Sequence, residues 1–159
     1  MPTPLVRLLP MSAAYYSVFY DRSLEDYAQD LASNHGYDLA TARRKSEASL
    51  LQYLPQGIAT PGHCLLCIMP GEEAKPLGYL WHAINADDDA TFIYDFYIDP
   101  ALRSQGYGKA AIAALEASLR VSGISQIKLR VAYDNPRALA LYQEAGFIIT
   151  GHNMAKLLG

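Results

Sequence analysis

The pattern of apolar positions in the first third of the chain predicts two helices. Apolar residues in the segment 12–34 recur at the three- and four-residue spacing of one helix face. These positions are Tyr20, Leu24, Tyr27, Ala28 and Leu31. A second predicted helix runs from an Asp38 cap to about Leu54, where a proline follows. A short predicted strand at residues 5–9 precedes both helices.

After residue 62 the apolar positions follow the two-residue period of strands. Glycine, proline and aspartate separate these segments. Segments 63–69, 77–84 and 91–98 are predicted strands. The third is apolar on both alternations, which predicts a central strand covered on both faces. One alternation carries Phe92, Tyr94, Phe96 and Ile98, and the other carries Ile93 and Tyr97. Asp95 is the single ionisable residue within this strand.

The next two elements are a helix and a strand. Residues 106–121 are rich in alanine, and small side chains let a helix lie close to a sheet. Gly123 ends this predicted helix, and the segment 124–133 is a predicted strand. Its inward positions are expected to be Ile127, Leu129, Val131 and Tyr133.

The last quarter of the chain predicts a helix and two closing strands. Pro136 begins the helix, because proline fits a first helical turn, and Gly146 ends it. Segments 147–150 and 153–158 are predicted strands. The resulting order is β-α-α-β-β-β-α-β-α-β-β, a mixed α/β arrangement of helices on a central sheet.

Composition narrows the class of protein. The 159 residues, 51% hydrophobic and 18% charged, predict one domain, 1–159, with a sizeable core. A net charge of −3 gives no electrostatic reason to expect nucleic acid or an anionic membrane as partner. The sequence shows no signal peptide or spanning segment, so a cytoplasmic location is expected. Cys64 and Cys67 are three apart on a predicted strand and point to opposite faces, which argues against a metal or redox pair.

The segment 98–109 predicts a site for an anion, because a strand is followed there by a short loop and by a helix that begins at a glycine pair. Helix-start N–H groups lack intrahelical acceptors, and glycine lets a phosphate approach them. Arg103 and Lys109 add positive charge. The residues of this segment do not match a P-loop, since position 110 is alanine. They do not match a dinucleotide-binding motif either, since Ala111 occupies the position of the third glycine. The alternative is a strand-to-helix turn that binds nothing.

A second group of residues lies on the helix that Pro136 begins. Asn135, Ala138 and Tyr142 share one helix face, because they are three and seven residues apart. Seven residues rise roughly 10 Å, so one extended ligand can touch both the amide and the phenol. The alternatives are a helix cap for Asn135 and a core aromatic for Tyr142.

Together these two blocks resemble the GCN5-related N-acetyltransferase (GNAT) superfamily over residues 76–158. Segment 103–108, after the strand 96–98, resembles motif A of the family, and segment 135–142 resembles motif B. The chain also looks like small uncharacterised bacterial members. The resemblance implies the GNAT fold, a central mixed, mostly antiparallel sheet of six or seven strands flanked by four helices.

The resemblance also implies a binding site for acetyl-coenzyme A as cosubstrate, with no metal. The backbone amides of segment 104–109 would hold the pyrophosphate, and strand 96–98 would pair with the pantetheine arm. This strand would splay from the strand at 127–133 and open a wedge for the thioester. The expected coenzyme-binding residues are Phe96, Tyr97, Ile98, Arg103, Ser104, Gln105, Gly106, Tyr107, Gly108, Lys109, Asn135, Ala138 and Tyr142.

The chemistry implied is direct attack of an uncharged amine on the thioester. A backbone N–H in segment 94–98 would stabilise the oxyanion. Tyr142 would act as the general acid toward the leaving thiolate. Asp95 is the candidate base, because a carboxylate in an apolar strand has its pKa raised by desolvation. Its alternative role is partner to a helix end or to a nearby basic side chain.

The acceptor is expected to be a primary amine of a small molecule or peptide, without further identity. Five tyrosines on or beside the first two helices could form an aromatic cage for a cation, although core packing is the favoured explanation. They are Tyr15, Tyr16, Tyr20, Tyr27 and Tyr37. The alternative function is a coenzyme A-binding sensor without turnover. The oligomeric state stays open, with a homodimer among the alternatives.

Overall fold

The computed structural model describes residues 4–71 and 75–159. Five strands and four α-helices follow one another within these residues. They are β1 (Val6–Pro10), α1 (Ala13–His35), α2 (Leu39–Tyr53), β2 (His63–Pro70), β3 (Gly78–Asn85), β4 (Ala90–Ile98), α3 (Tyr107–Val121), β5 (Gln126–Leu129) and α4 (Pro136–Glu144). The four predicted helices are thereby confirmed. None of the helices in this part of the chain has the length and apolarity that a membrane crossing requires.

Local signals fix the ends of the first two helices. The Ser12 side chain accepts a hydrogen bond from the Tyr15 N–H at the start of α1, and Gly36 ends the helix in the left-handed conformation, at φ 74°. Asp38 accepts from the Thr41 N–H at 2.8 Å and caps α2 as predicted. These hydrogen bonds satisfy backbone groups that a helix end otherwise leaves unpaired.

The sheet has the order β1-β2-β3-β4-β5. Its first three strand pairs are antiparallel and the β4–β5 pair is parallel, so the expected mixed, mostly antiparallel sheet is confirmed. Helices α1 and α2 cover one face, where Phe19, Leu50 and Trp81 are buried together. Helix α3 covers the other face, where Leu80 and Leu115 are buried.

The sheet has fewer strands than the six or seven predicted. Within the described residues, no strand forms in segments 147–150 and 153–158, and the side chains of Ile148 and Leu158 are 81% and 90% exposed. Strand β5 ends at Leu129 instead of continuing to residue 133, and Tyr133 is 94% exposed rather than inward. The apolar alternation continues past the point where pairing with β4 stops, so it overestimates the strand.

A β-bulge changes the faces of β4. Trp81 pairs with Asp95 and His82 pairs with Ile93, so Tyr94 is an extra residue without a partner in β3. Tyr94 therefore lies on the same face as Asp95, toward α1 and α2. The predicted strict alternation is wrong here, and so is the full cover of both faces, because Phe92 and Tyr94 are 36% and 37% exposed.

Candidate active site

A cleft opens where β4 and β5 separate. Their parallel pairing runs from Ala90 opposite Gln126 to Ile93 opposite Leu129, whereas β4 continues to Ile98. The cleft has a volume of about 160 Å³ and lies between β4, the segment that follows β5, and α4. It brings together five of the residues predicted from the sequence. They are Asp95, Phe96, Asn135, Ala138 and Tyr142.

The edge of β4 along this cleft carries backbone groups beyond Ile93 that β5 does not pair with. The Asp99 N–H donates to the Leu77 carbonyl at 2.8 Å, which directs Asp99 toward the β3 side. Because backbone groups alternate in an antiparallel ladder, the N–H groups of Phe96 and Ile98 point the other way, toward the cleft. The Ile98 carbonyl accepts from Arg103 Nε at 2.8 Å. An extended ligand can add to such an edge as another strand does.

The loop before α3 leads into a helix start whose first N–H groups have no acceptor within the helix. Gly106 is the N-cap of α3, in the left-handed conformation at φ 88°, and has no side chain with which to cap it. The first intrahelical bond runs from the Ala110 N–H to the Gly106 carbonyl at 3.0 Å. The N–H groups of Tyr107, Gly108 and Lys109 therefore have no acceptor within the helix. This arrangement suits a phosphate group, which the positive end of a helix dipole attracts.

Arg137 is a candidate phosphate ligand that the sequence reasoning missed. Its Nη2 donates to Ser104 Oγ at 2.7 Å, which joins the start of α4 to the loop. Ser104 itself is left-handed, at φ 63°. Arg103, Lys109 and Arg137 thus supply three cations on the loop and the two helix starts. The only signal in the sequence was a basic residue directly after the Asn-Pro pair that starts α4.

Helix α4 presents an amide and a phenol to the cleft. Asn135 Oδ1 accepts from the Ala138 N–H at 3.1 Å, so Asn135 is also the helix cap. Tyr142 is 8% exposed, and its ring contacts Phe96 and Phe147 with centroids 6.2 and 5.6 Å away. In the part of the chain that the structure describes, the phenol oxygen has no hydrogen-bond partner. Burial, assisted by the Asp95 carboxylate, raises the pKa of Tyr142 to about 12, so the phenol keeps its proton at neutral pH.

Asp95 has a basic partner that no spacing in the sequence indicated. Its Oδ2 accepts from Arg22 Nη2 at 2.5 Å, across 73 residues of sequence. The two side chains are 17% and 15% exposed, and the Arg22 guanidinium also pairs with Asp26 and lies 3.8 Å over the Tyr97 ring. Burial raises the pKa of the Asp95 carboxyl, and the Arg22 guanidinium offsets part of this rise. The alternative role predicted for Asp95 is therefore present in the structure.

Comparisons with known proteins give the same family over most of the chain. A family model described as the acetyltransferase (GNAT) family matches residues 24–147. The uncharacterised N-acetyltransferase YycN of Bacillus subtilis is 31% identical over 157 residues, 96% of this chain and 99% of that protein. A crystal structure of YycN matches with a TM-score of 0.90 at 30% identity, over 96% of this chain and 98% of that one.

A more distant solved structure shows the same fold. A spermidine N-acetyltransferase from Vibrio cholerae, in complex with coenzyme A and spermine, has a TM-score of 0.65 at 17% identity. It covers 96% of this chain and 86% of that one, and at this identity the likeness shows the fold alone. The family match and the YycN match, by contrast, identify the protein class. The chain belongs to the GNAT family of acetyltransferases, and it is an enzyme of the acetyl-coenzyme A-dependent N-acetyltransferase class.

Proposed function

We propose that this enzyme transfers an acetyl group from acetyl-coenzyme A to a primary amine by direct attack in the cleft between β4 and β5, with Tyr142 as the general acid. One observation carries the proposal. The protonated Tyr142 phenol, 8% exposed and without a hydrogen-bond partner among the described residues, lines the same cleft as the edge of β4 at Asp95 and Phe96. A donor in this position is available to a leaving group that lies along the edge of β4.

The residues present fit the coenzyme. The unpaired N–H groups at the start of α3 would take the diphosphate, together with those of Ser104, Gln105 and Gly106. Arg103, Lys109 and Arg137 would balance its charge. The edge at Phe96, Tyr97 and Ile98 would bind the pantetheine arm through the backbone, while Asn135 and Ala138 flank it. A side chain at position 106 would lie 3.1 Å from Pro4, so glycine also leaves room in the loop.

The chemical step forms a C–N bond and breaks the C–S bond of the thioester. As the amine attacks the carbonyl carbon, negative charge develops on the carbonyl oxygen, and a backbone N–H in segment 94–98 that faces the cleft would stabilise it. When the C–S bond breaks, Tyr142 donates a hydrogen bond and then its proton to the sulfur. The tyrosinate recovers a proton readily, because the pKa of the phenol is about 12. The acceptor nitrogen must also lose a proton.

Asp95 is the proposed route for the proton that leaves the nitrogen. It lines the cleft, and burial raises the pKa of its carboxyl, which makes it a better base than an exposed aspartate. The ion pair with Arg22 fixes the carboxylate in place, so transfer through a water molecule is the expected path. Tyr142 then gives a proton to the sulfur, and Asp95 accepts one from the nitrogen.

The test is release of coenzyme A thiol from acetyl-coenzyme A with a panel of primary amines. In the Tyr142→Phe variant we expect kcat to fall by roughly 100-fold, in the range of lost general acid catalysis, with the Kd for coenzyme A unchanged. The matched control is Tyr133→Phe, because Tyr133 is 94% exposed and lies outside the cleft. An unchanged rate in Tyr142→Phe removes this residue from catalysis. Tight coenzyme binding without thiol release from any amine favours the sensor instead.

A further inference from the structure

The five tyrosines considered as an alternative aromatic cage do not form the aromatic surface beside the cleft. Tyr15, Tyr16 and Tyr20 pack partly against the core under α1 and α2. Tyr37 lies beneath the Lys45 ammonium, 4.8 Å from it, and Tyr27 is 40% exposed on α1. Packing therefore accounts for the first three, as favoured from the sequence.

Three other aromatic rings form a half-exposed surface at the cleft, which we call the aromatic platform. It consists of Tyr53, Phe92 and Tyr94, whose side chains are 41%, 36% and 37% exposed. The Tyr53 and Phe92 rings lie 5.0 and 4.9 Å from the Tyr94 ring, between centroids. Tyr94 also lines the cleft. The platform therefore extends outward from the place where the thioester would react.

A buried layer holds the platform in place. The Tyr94 ring stacks on Trp81 with centroids 4.8 Å apart and an angle of 19° between the planes. Trp81 is 3% exposed, and its indole N–H donates to His63 Nδ1 at 2.9 Å. Phe19 meets Trp81 edge-on at 6.0 Å. Rings that are already ordered lose little conformational freedom when a ligand binds, which favours affinity.

The β-bulge explains why the platform reaches the cleft. Without the extra residue, strict alternation would direct the side chains of positions 94 and 95 to opposite faces. With it, Tyr94 and Asp95 lie on one face, toward α1 and α2. The aromatic ring and the proposed proton acceptor are consequently neighbours. An acceptor that lies on the ring has its amine beside the carboxylate.

The charges around the platform argue against a polycation as its ligand. The carboxylate beside Tyr94, that of Asp95, is already paired with the Arg22 guanidinium. His63 accepts from Trp81 through Nδ1, and burial lowers its pKa, so it is neutral at neutral pH. Lys128, which faces Phe92 in the parallel register, pairs with Asp88 at 3.9 Å. The surface is thus largely apolar, and the charges beside it already have partners.

We propose that the aromatic platform binds an aromatic ring of the acceptor, so that the substrate class is an arylalkylamine whose primary amine enters the cleft beside Asp95. This inference rests on the proposed function, because it names the acceptor of the same reaction. Offset or edge-to-face contact between the acceptor ring and Tyr53, Phe92 and Tyr94 provides the recognition. The alkyl spacer carries the amine past Tyr94 to the thioester.

The experiment compares three amines by thiol release: phenethylamine, propylamine and spermidine. For the wild type we expect phenethylamine to have a kcat/KM at least tenfold above that of each other amine, mainly through a lower KM. In Tyr53→Ala and Phe92→Ala we expect the preference for phenethylamine over propylamine, as a ratio of kcat/KM values, to fall roughly tenfold. Tyr27→Ala is the matched control, since it removes a similarly exposed ring from α1 and should leave the ratio unchanged.

The outcomes separate this inference from the proposed function. Thiol release that is fastest with spermidine, or a ratio that both platform variants leave unchanged, overturns the aromatic acceptor while the transferase reaction stands. Release from none of the amines overturns the reaction, and the acceptor assignment falls with it. The platform variants should bind coenzyme A with the Kd of the wild type, which shows that they are folded.

Discussion

His82 should make this enzyme sensitive to acid in a way that one substitution removes. The side chain is 4% exposed, and its Nδ1 forms a hydrogen bond of 2.7 Å with Thr91 Oγ1. The Thr91 hydroxyl donates to the Ala83 carbonyl at 3.0 Å, so Nδ1 must supply the proton of the bond to Thr91. The neutral imidazole is therefore the tautomer that carries its proton on Nδ1. Burial lowers the pKa of His82 from 6.5 to about 4.

The magnitude follows from the two pKa values. In the unfolded chain the imidazole takes up a proton near pH 6.5, whereas in the folded protein it stays neutral until about pH 4. Between these values the unfolded state binds one more proton, so the free energy of unfolding decreases as the pH falls. The slope is about 1.4 kcal/mol per pH unit, and the total loss is about 3 kcal/mol. Below pH 4 both states are protonated and this loss stops.

Urea unfolding between pH 7 and pH 4, followed by the fluorescence of the single tryptophan, Trp81, measures this effect. In His82→Asn the amide can still donate to Thr91 but cannot titrate, so its free energy of unfolding should depend less on pH. The difference in loss between wild type and variant should be about 3 kcal/mol. His152→Asn is the control, because His152 is exposed. If His82→Asn keeps the full pH dependence of the wild type, His82 is not the group responsible.

Three further predictions concern the loop, the sheet and the buried ion pair. Gly106→Ala and Gly123→Ala both place a side chain at positive φ, 88° and 78°, so each should lower the free energy of unfolding by about 1 kcal/mol. Of the two, only Gly106→Ala should raise the Kd for coenzyme A, which calorimetry measures. Gly78→Ala should lower the melting temperature more than either, because its Cβ would lie 1.8 Å from a backbone oxygen of β4; an equal or smaller shift contradicts this. Arg22→Met should cost about 3–5 kcal/mol in urea unfolding, since Asp95 loses its partner, and adding Asp95→Leu should recover at least half. No recovery in the double variant would mean that the charge left unpaired is not the cause.

The parts of the site that could be predicted from the sequence are those that depend on residues only a few positions apart. Asp38, Pro136 and Gly106 mark helix starts through interactions that span a few residues, so their roles were readable from the chain. The loop before α3 was predicted for the same reason, since the N–H groups that open there depend only on where the helix begins. Tyr142 followed from helical spacing relative to Asn135. The contacts of these residues with one another were expected only because both blocks resembled one family.

Residues within one or two turns of each other are enough to predict the helices, the strand-to-helix loop and the helix face that carries the phenol. The bulge at Tyr94 could not be predicted in this way, since a bulge depends on the register between two strands. Nor could the pair of Arg22 and Asp95, which are 73 residues apart, because a buried charge is stabilised by a partner that is near in space and not in sequence. The closing strands were overestimated because an apolar alternation becomes a strand only where another strand is available to pair with it.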